Sequence, residues 1–176
     1  LVEPDFFSWA VDTAQEDNFI GFLVKLERYF DIYDLKHISE DILKGLYQEL
    51  VDPESRHSLG EYYTPDWLAE LTLEIINYIK GRLLDPSCGS GTFVFKAIKR
   101  KRDSGLKGVN LLEECLKTII GIDVHPLAVM MTKANMLLAL SEEIKNYHKG
   151  VYLQIYLADT LLVTEDIKKD CIIIPV

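Results

Sequence analysis

The residues with the clearest capacity for chemistry lie at 83–93, where the sequence reads Leu-Leu-Asp-Pro-Ser-Cys-Gly-Ser-Gly-Thr-Phe. Two apolar residues lead into an acid and a proline, and a glycine-rich turn follows before a helix-forming segment. Gly89 and Gly91 allow the backbone to turn sharply and to approach a ligand closely, because neither carries a Cβ. Backbone N–H groups that open the following helix would face that ligand. The stretch therefore predicts a small-molecule cradle between a strand and a helix.

Two common phosphate-binding loops fit this stretch poorly. A P-loop requires Gly-Lys followed by Ser or Thr, and none of the ten glycines is followed by lysine. The dinucleotide fingerprint G-x-G-x-x-G would need a third glycine where the chain has Val94. The G-x-G pair alone is equally compatible with a structural turn.

Two further acids follow apolar runs. Residues 118–123 read as a strand that ends at Asp123, and residues 152–159 read as another that ends at Asp159. In nucleotide-binding α/β folds, an acid at the tip of the second strand accepts hydrogen bonds from ribose hydroxyls. Asp123 lies 32 residues after Gly91, whereas the fingerprint places its acid about 20 residues on, so a loop at 103–117 is expected to take up the excess. A simple turn role is the alternative for each acid.

Thr64 and Pro65 predict the start of another helix. Thr64 suits the N-cap and Pro65 the first helical position. The amino terminus of a helix favours an anion, although an ordinary capped turn explains the pair as well.

The elements that position these residues alternate along the chain. Residues 1–51 show helical spacing of apolar and aromatic side chains, and a helix is predicted from Phe93 to about Lys101. The basic residues at the end of that helix are expected to form a solvated cap, with phosphate contact as the alternative. A helix over 127–138 and a fourth, fully apolar strand at 170–174 complete the pattern. We therefore predict an α/β open parallel sheet of about four strands, with a helical appendage at 1–58 and the sheet domain at 59–176.

Composition narrows the functional classes. The formal net charge is −9, and residues 1–58 alone hold 13 acids and 5 bases, which argues against broad affinity for DNA. Three scattered cysteines suit a reducing cytoplasm. The four histidines form no metal-binding pair, and no apolar run reaches membrane-spanning length. We expect a cytoplasmic protein without a metal site or a membrane anchor.

The string Asp85–Phe93 resembles the first S-adenosylmethionine motif of the adenine-N6 DNA methyltransferases of type I and fused restriction-modification systems. Gly-Glu-Tyr-Tyr-Thr-Pro at 60–65 resembles the segment before that motif, and 121–128 and 158–161 resemble the second and third motifs. The resemblance implies a Rossmann-like S-adenosylmethionine-dependent methyltransferase fold. It implies cofactor contacts at Tyr63, Thr64, Pro65, Asp85, Pro86, Ser87, Cys88, Gly89, Ser90, Gly91, Thr92, Phe93, Asp123, Val124, Asp159 and Thr160.

Individual roles follow from the same resemblance. Thr64 would contact the methionine carboxylate of the cofactor, Val124 would lie beside the adenine ring, and Asp159 would accept a hydrogen bond from the adenine amino group. Family members hold the target adenine with an Asn/Asp-Pro-Pro-aromatic loop, and no such string occurs in the sequence. We therefore expect an amino-terminal piece of the enzyme that contains no catalytic residue and is inactive by itself.

The resemblance also implies partners. The full-length enzyme would bind DNA and transfer a methyl group to adenine N6, with a specificity and a restriction subunit or fused domains as possible partners. An RNA or protein-amide methyltransferase, or a non-catalytic nucleotide-binding module, is the alternative.

Overall fold

A computed structural model of the protein describes residues 62–161, together with helical residues at 20, 21, 24, 25, 28, 44 and 45. The chain divides into two compact units, Leu1–His37 and Ile38–Val176, and the sheet and the helices packed on it belong to the second unit. The predicted domain boundary at residue 58 and the predicted strand at 170–174 lie outside the described residues.

The second unit alternates helices and strands as an α/β fold does. Its elements are α1 (Asp66–Ile75), β1 (Leu83–Asp85), α2 (Thr92–Asp103), α3 (Gly108–Thr118), β2 (Ile119–Asp123), α4 (Pro126–Ala139), α5 (Ser141–Ile144) and β3 (Ile155–Leu157).

The three strands form one parallel sheet in the order β1-β2-β3. Leu84 pairs with Ile120, and Ile122 pairs with Tyr156. The predicted parallel open sheet is confirmed for these strands, although β3 is shorter than the predicted run at 152–159. Because the carboxyl ends of parallel strands meet at one edge of a sheet, Asp85 and Asp123 are brought to the same edge.

The core lies between one sheet face and the helices that follow β1 and β2. Ile119 and Ile155 are 0% and 2% exposed on that face, and the side chains of Ile98 and Val129 are 0% exposed. Fully burying one such side chain contributes about 1.5–3 kcal/mol. The helical spacing of the apolar residues thus fixes α2 and α4 against the sheet.

The expected loop at 103–117 is wrong, because most of it is α3. Leu111, Leu112 and Cys115 are fully buried and share one helical face. Gly105 and Gly108 mark only the turn between α2 and α3, where their φ angles are +101° and +56°. The extra length between β1 and β2 is therefore a packed helix.

The expected solvated cap at the end of α2 is wrong for Lys101, although Lys99 and Arg102 keep side chains 46% and 39% exposed. The Lys101 side chain is 0% exposed, its Nζ lies 3.0 Å from Glu114 Oε1, and it stands 5.1 Å from the centre of the Tyr78 ring. Arg102 donates to Glu143 at 3.1 Å and to the carbonyl oxygen of Ala139 at 2.6 Å. The buried charge of Lys101 requires such partners, and both side chains link α2 to neighbouring helices.

Among residues 62–161 and the few described before them, no helix is long and apolar enough to cross a membrane. The same part of the chain contains no group of three side chains arranged to hold a metal ion.

Candidate cofactor cleft

A cleft of about 660 Å³ opens at the carboxyl edge of the sheet. It brings together predicted site residues from four separate stretches of the sequence. Those in its lining are Tyr63, Pro86, Ser87, Gly89, Asp123, Val124, Asp159 and Thr160, and they are joined by Tyr62, His125, Ala128, Ala158 and Leu161.

Asp123 connects the glycine loop to the end of β2. Its Oδ2 accepts a hydrogen bond from the Gly89 N–H at 2.8 Å, and its Oδ1 accepts one from the His125 N–H at 2.9 Å. A carboxylate has about four acceptor positions. Asp123 can therefore hold the loop and still accept hydrogen bonds from a ligand.

The glycine loop, residues 86–91, is folded back against β2. The Cys88 N–H donates to the carbonyl oxygen of Ile122 at 2.9 Å, and the Gly91 N–H donates to that of Cys88 at 2.8 Å. Gly89 and Gly91 have φ angles of +53° and +93°, a region that L-residues other than glycine adopt at a cost. Burial raises the pKa of Cys88 to about 12, so its thiol stays protonated and is no nucleophile at neutral pH.

Asp85 ends β1 beside this loop without lining the cleft. Its Oδ1 accepts a hydrogen bond from the Ser87 N–H at 3.2 Å. Burial raises the pKa of the Asp85 carboxyl; the Ser87 hydrogen bond opposes this increase, and the charge of Asp123 adds to it. Asp85 thus shapes the turn through its hydrogen bond to Ser87.

The third strand closes the other side of the cleft. The Ala158 N–H donates to the Asp123 carbonyl oxygen at 2.9 Å, and the Thr160 hydroxyl donates to the Pro86 carbonyl oxygen at 3.2 Å. Asp159 accepts the Leu161 N–H at 2.9 Å and is exposed. Val124 is 69% exposed at the cleft wall, which leaves an apolar surface open to a flat ring.

Thr64 and Pro65 lie where α1 begins, but not as predicted. Pro65 occupies the N-cap position, and α1 begins at Asp66 without a side-chain cap. The reason is the extended backbone of Pro65 (ψ 142°), whose own carbonyl oxygen accepts the Leu68 and Ala69 N–H groups. Neither Thr64 nor Pro65 is among the residues that line the cleft.

A network of charged side chains connects the start of α1 to α2. Lys44 Nζ donates to the Thr64 carbonyl oxygen and to Asp66 Oδ1, each at 2.8 Å, and Lys96 Nζ lies 3.1 Å from Asp66 Oδ2. Burial alone would raise the pKa of Asp66, but the hydrogen bonds and charges of the two lysines outweigh it and lower that pKa. Sequence reasoning missed Lys44, since its partners lie 20 and 22 residues away.

The other predicted residues lie behind the cleft. Cys88, Ser90, Gly91 and Thr92 are buried, and Phe93 packs against the core. Two residues of α4 that the sequence did not single out support them: Thr132 donates to the Gly89 carbonyl oxygen at 2.7 Å, and Asn135 donates to that of Ser90 at 2.8 Å. Polar residues at i and i+3 on an otherwise apolar helix face were the available signal.

The cleft has an acidic character. Asp123 and Asp159 line it, and no lysine or arginine does so among the described residues. Such a cleft suits a ligand with hydroxyl or amino donors and positive charge better than one with several phosphates.

Two methylase subunits of type I restriction enzymes are similar to this chain in sequence. The type I restriction enzyme MjaIX methylase subunit of Methanocaldococcus jannaschii is 32% identical over 83 residues, which cover 47% of this chain and 14% of that protein. The type I restriction enzyme EcoEI methylase subunit of Escherichia coli is 27% identical over 104 residues, which cover 58% of this chain and 21% of that protein. The chain thus spans about a fifth or less of the length of these relatives.

A solved structure also matches. It is a modification subunit from Vibrio vulnificus YJ016, described as part of a type I restriction enzyme, with 27% identity and a TM-score of 0.42 over 58% of this chain and 22% of that one.

The model of the family described as N-6 DNA Methylase matches residues 37–173. That match includes β1, β2 and β3 and every residue that lines the cleft. The chain belongs to the N-6 DNA Methylase family.

Proposed function

We propose that this chain is the S-adenosylmethionine-binding part of a site-specific DNA methyltransferase that methylates adenine at N6. The observation that carries the proposal is the hydrogen bond from the Gly89 N–H to the Asp123 carboxylate in the lining of the cleft. It places an acceptor for ribose hydroxyls against a glycine loop, in a protein of the N-6 DNA Methylase family.

The cleft fits this cofactor in size and in chemistry. A volume of about 660 Å³ is within the range of small-molecule sites. Asp123 would accept the ribose hydroxyls, exposed Val124 would lie against the adenine ring, and Asp159 would accept the adenine amino group. S-adenosylmethionine has a sulfonium and an ammonium group against one carboxylate, so its net positive charge matches the acidic lining. When bound, it supplies the methyl group.

The neighbourhood of the glycine loop supports the fit. A Cβ built on Gly89 would lie 3.4 Å from the Tyr63 ring, an ordinary contact distance, so the tyrosine lies close against the loop. We assign Tyr63, Pro86, Ser87, Gly89 and Thr160 to the pocket wall. Thr64, Pro65, Asp85, Cys88, Ser90, Gly91, Thr92 and Phe93 would form the frame that holds the wall.

The family and the names of the relatives favour DNA adenine as the substrate over RNA or a protein amide. A non-catalytic nucleotide module is disfavoured by the lack of basic residues in the described lining, because arginine and lysine are the frequent side-chain partners of nucleotide phosphates. We propose that the whole protein acts in a type I restriction-modification system, with DNA and with specificity and restriction subunits or domains as partners.

Calorimetry with S-adenosylmethionine and S-adenosylhomocysteine tests the proposal. Asp123→Ala should weaken binding by about 1.5–3 kcal/mol, the value of a hydrogen bond to a charged group, which is roughly tenfold to a hundredfold. Asp123→Asn keeps an oxygen that can accept one backbone N–H and should fall between the parent and Asp123→Ala. Asp159→Ala should cost less, since it removes one bond to a neutral amino group.

Two outcomes would contradict the assignment. Absence of heat with either ligand at millimolar concentration, from protein shown by circular dichroism to be folded, would remove the cofactor proposal. Parent-like binding by Asp123→Ala would leave Asp123 as a turn residue.

A further inference from the structure

Two buried polar side chains on α4 are not explained by packing. Thr132 is 0% exposed and Asn135 is 3% exposed, on a helix whose other buried members are Ala128, Val129, Met131 and Met136. Burying a hydroxyl or an amide in an apolar interior is costly unless it is hydrogen-bonded. An alanine or valine at either position would avoid that cost, so these side chains require a reason.

Both side chains are bonded to the glycine loop. The Thr132 hydroxyl donates to the Gly89 carbonyl oxygen at 2.7 Å, and the Asn135 amide donates to the Ser90 carbonyl oxygen at 2.8 Å. These are consecutive carbonyl groups of the loop. Since each peptide unit is planar and trans, fixing a carbonyl also fixes the direction of the N–H in the same unit. α4 therefore sets the orientation of the Gly89–Ser90 and Ser90–Gly91 peptide units.

The packing at Gly91 shows how closely α4 approaches the loop. A Cβ built on Gly91 would lie 3.0 Å from both Thr132 Oγ1 and Thr132 Cγ2. The Thr132 hydroxyl also lies 3.5 Å from Cys88 Sγ. Thr132 thus lies against three residues of the turn, Cys88, Gly89 and Gly91, although neither it nor Asn135 lines the cleft.

We propose that Thr132 and Asn135 are positioning residues, which hold the glycine loop in the form that binds the cofactor. This inference rests on the proposed function. It gives α4 a role in the site, although Thr132 and Asn135 lie 43 and 45 residues along the chain from the loop carbonyl groups that they hold. Because the loop is already ordered in the free protein, it would lose less conformational entropy when the ligand binds. Removal of these bonds would therefore lower the affinity.

Variants at Thr132 separate positioning from simple packing. Thr132→Val keeps the shape and removes the hydroxyl, whereas Thr132→Ser keeps the hydroxyl. The matched control is Thr118→Val on α3, where a threonine 8% exposed donates to the Glu114 carbonyl oxygen at 2.7 Å. Thr118→Val removes a buried hydroxyl that bonds within its own helix, so it does not disturb the glycine loop.

Cofactor affinity should distinguish them. By calorimetry with S-adenosylhomocysteine, Thr132→Val should raise the dissociation constant about tenfold, as expected for one hydrogen bond. Thr132→Ser should stay within about twofold of the parent, and Asn135→Leu should weaken binding as Thr132→Val does. Thr118→Val should bind like the parent. Equal affinity of Thr132→Val and Thr118→Val would overturn the proposal, and so would a Thr132→Ser that binds as weakly as Thr132→Val.

A second measurement needs no ligand. Amide hydrogen exchange at Ser90 and Gly91, the N–H groups of the two fixed peptide units, should be faster in Thr132→Val than in Thr118→Val, because only the first change frees the loop. If the parent binds no cofactor, the proposed function fails while this measurement still decides the role of α4. Unchanged exchange at both amides would overturn the positioning role in either case.

Discussion

The two ends of α2 bury polar groups in different ways. At its amino end, the glycine loop is held by Asp123, Thr132 and Asn135, which bond backbone N–H and carbonyl groups beside an open cleft. At its carboxyl end, a full charge on Lys101 is enclosed by Glu114 and the Tyr78 ring. One helix therefore joins a hydrogen-bond network beside the cleft to an ion pair whose ammonium group is buried and whose carboxylate is 34% exposed.

The difference shows how binding and stability are divided along α2. A hydrogen bond between neutral groups, such as those of Thr132 and Asn135, contributes about 0.5–1.5 kcal/mol, so the loss of one of them should cost little stability. Breaking one partner of a buried ion pair costs about 3–5 kcal/mol. Changes at the carboxyl end of α2 should therefore affect the packing of α2 against α3, and changes at the amino end should affect the affinity for the ligand.

The largest effect is expected from Glu114→Ala, which leaves the ammonium group of Lys101 buried without its carboxylate. We expect a loss of about 3–5 kcal/mol in the free energy of unfolding, measured by urea denaturation. The control is Glu113→Ala on the same helix, whose carboxylate lies 3.4 Å from exposed Lys149 Nζ and should cost about 1 kcal/mol or less. Equal losses in the two variants would show that water compensates Lys101.

An intermediate effect is expected from Gly91→Ala at the amino end. A residue with a Cβ at positive φ costs about 1–2 kcal/mol, and contact with Thr132 should add about 1–3 kcal/mol of overpacking. Gly105→Ala is the matched control, because its φ is +101° and nothing lies within 4 Å of the added Cβ. Cofactor affinity should fall in Gly91→Ala alone. If both variants lose the same stability, the close approach of α4 to the loop is not tight.

The smallest effect concerns pH and two acids near the amino end. The folded pKa of Asp85 lies above its usual value of 3.8, so its contribution to stability is present below that pH and is lost as pH rises through the folded pKa. The pKa of Asp66 is lowered from 3.8, so its contribution is present above that pH and is lost as pH falls through the folded pKa.

Urea unfolding of Asp85→Asn and Asp66→Asn, followed from about pH 3 to 7, should therefore change the pH dependence in opposite directions. Asp85→Asn should remove a loss of stability that the parent shows on raising the pH. Asp66→Asn should remove a loss that the parent shows on lowering it. Parallel curves for both variants would mean that neither acid is perturbed as described.

The sequence predicted those parts of the site that are local in the chain. The strand before Asp85, the glycine turn and the acid at the end of β2 each follow from neighbouring residue types, and the parallel order then brings them together. The roles of Thr132, Asn135 and Lys101 depend on partners 13 to 45 residues away. The sequence assigned Lys101 to a solvated cap and gave Thr132 and Asn135 no role, and only the tertiary contacts reveal otherwise.

Two errors at helix boundaries have physical causes as well. Gly105 and Gly108 led to a loop prediction, although the apolar spacing that follows them is helical and α3 is packed by it. Thr64-Pro65 led to a capped helix, but Pro65 supplies the N-cap conformation through its own backbone. At α3 the turn signal was correct and burial set the extent of the helix, whereas at α1 the backbone of Pro65 moved the start of the helix to Asp66.

The burial of Cys88 affects how readily its thiol reacts with oxidising and alkylating agents. Alkylating and oxidising agents react with thiolates, and burial raises the pKa of Cys88 to about 12. Cys115 is shielded in the same way, with its pKa also raised to about 12. The sulfur at the centre of the glycine loop is therefore protected from oxidative damage while the turn stays closed, and only molecules whose loop has opened would expose it to reagent.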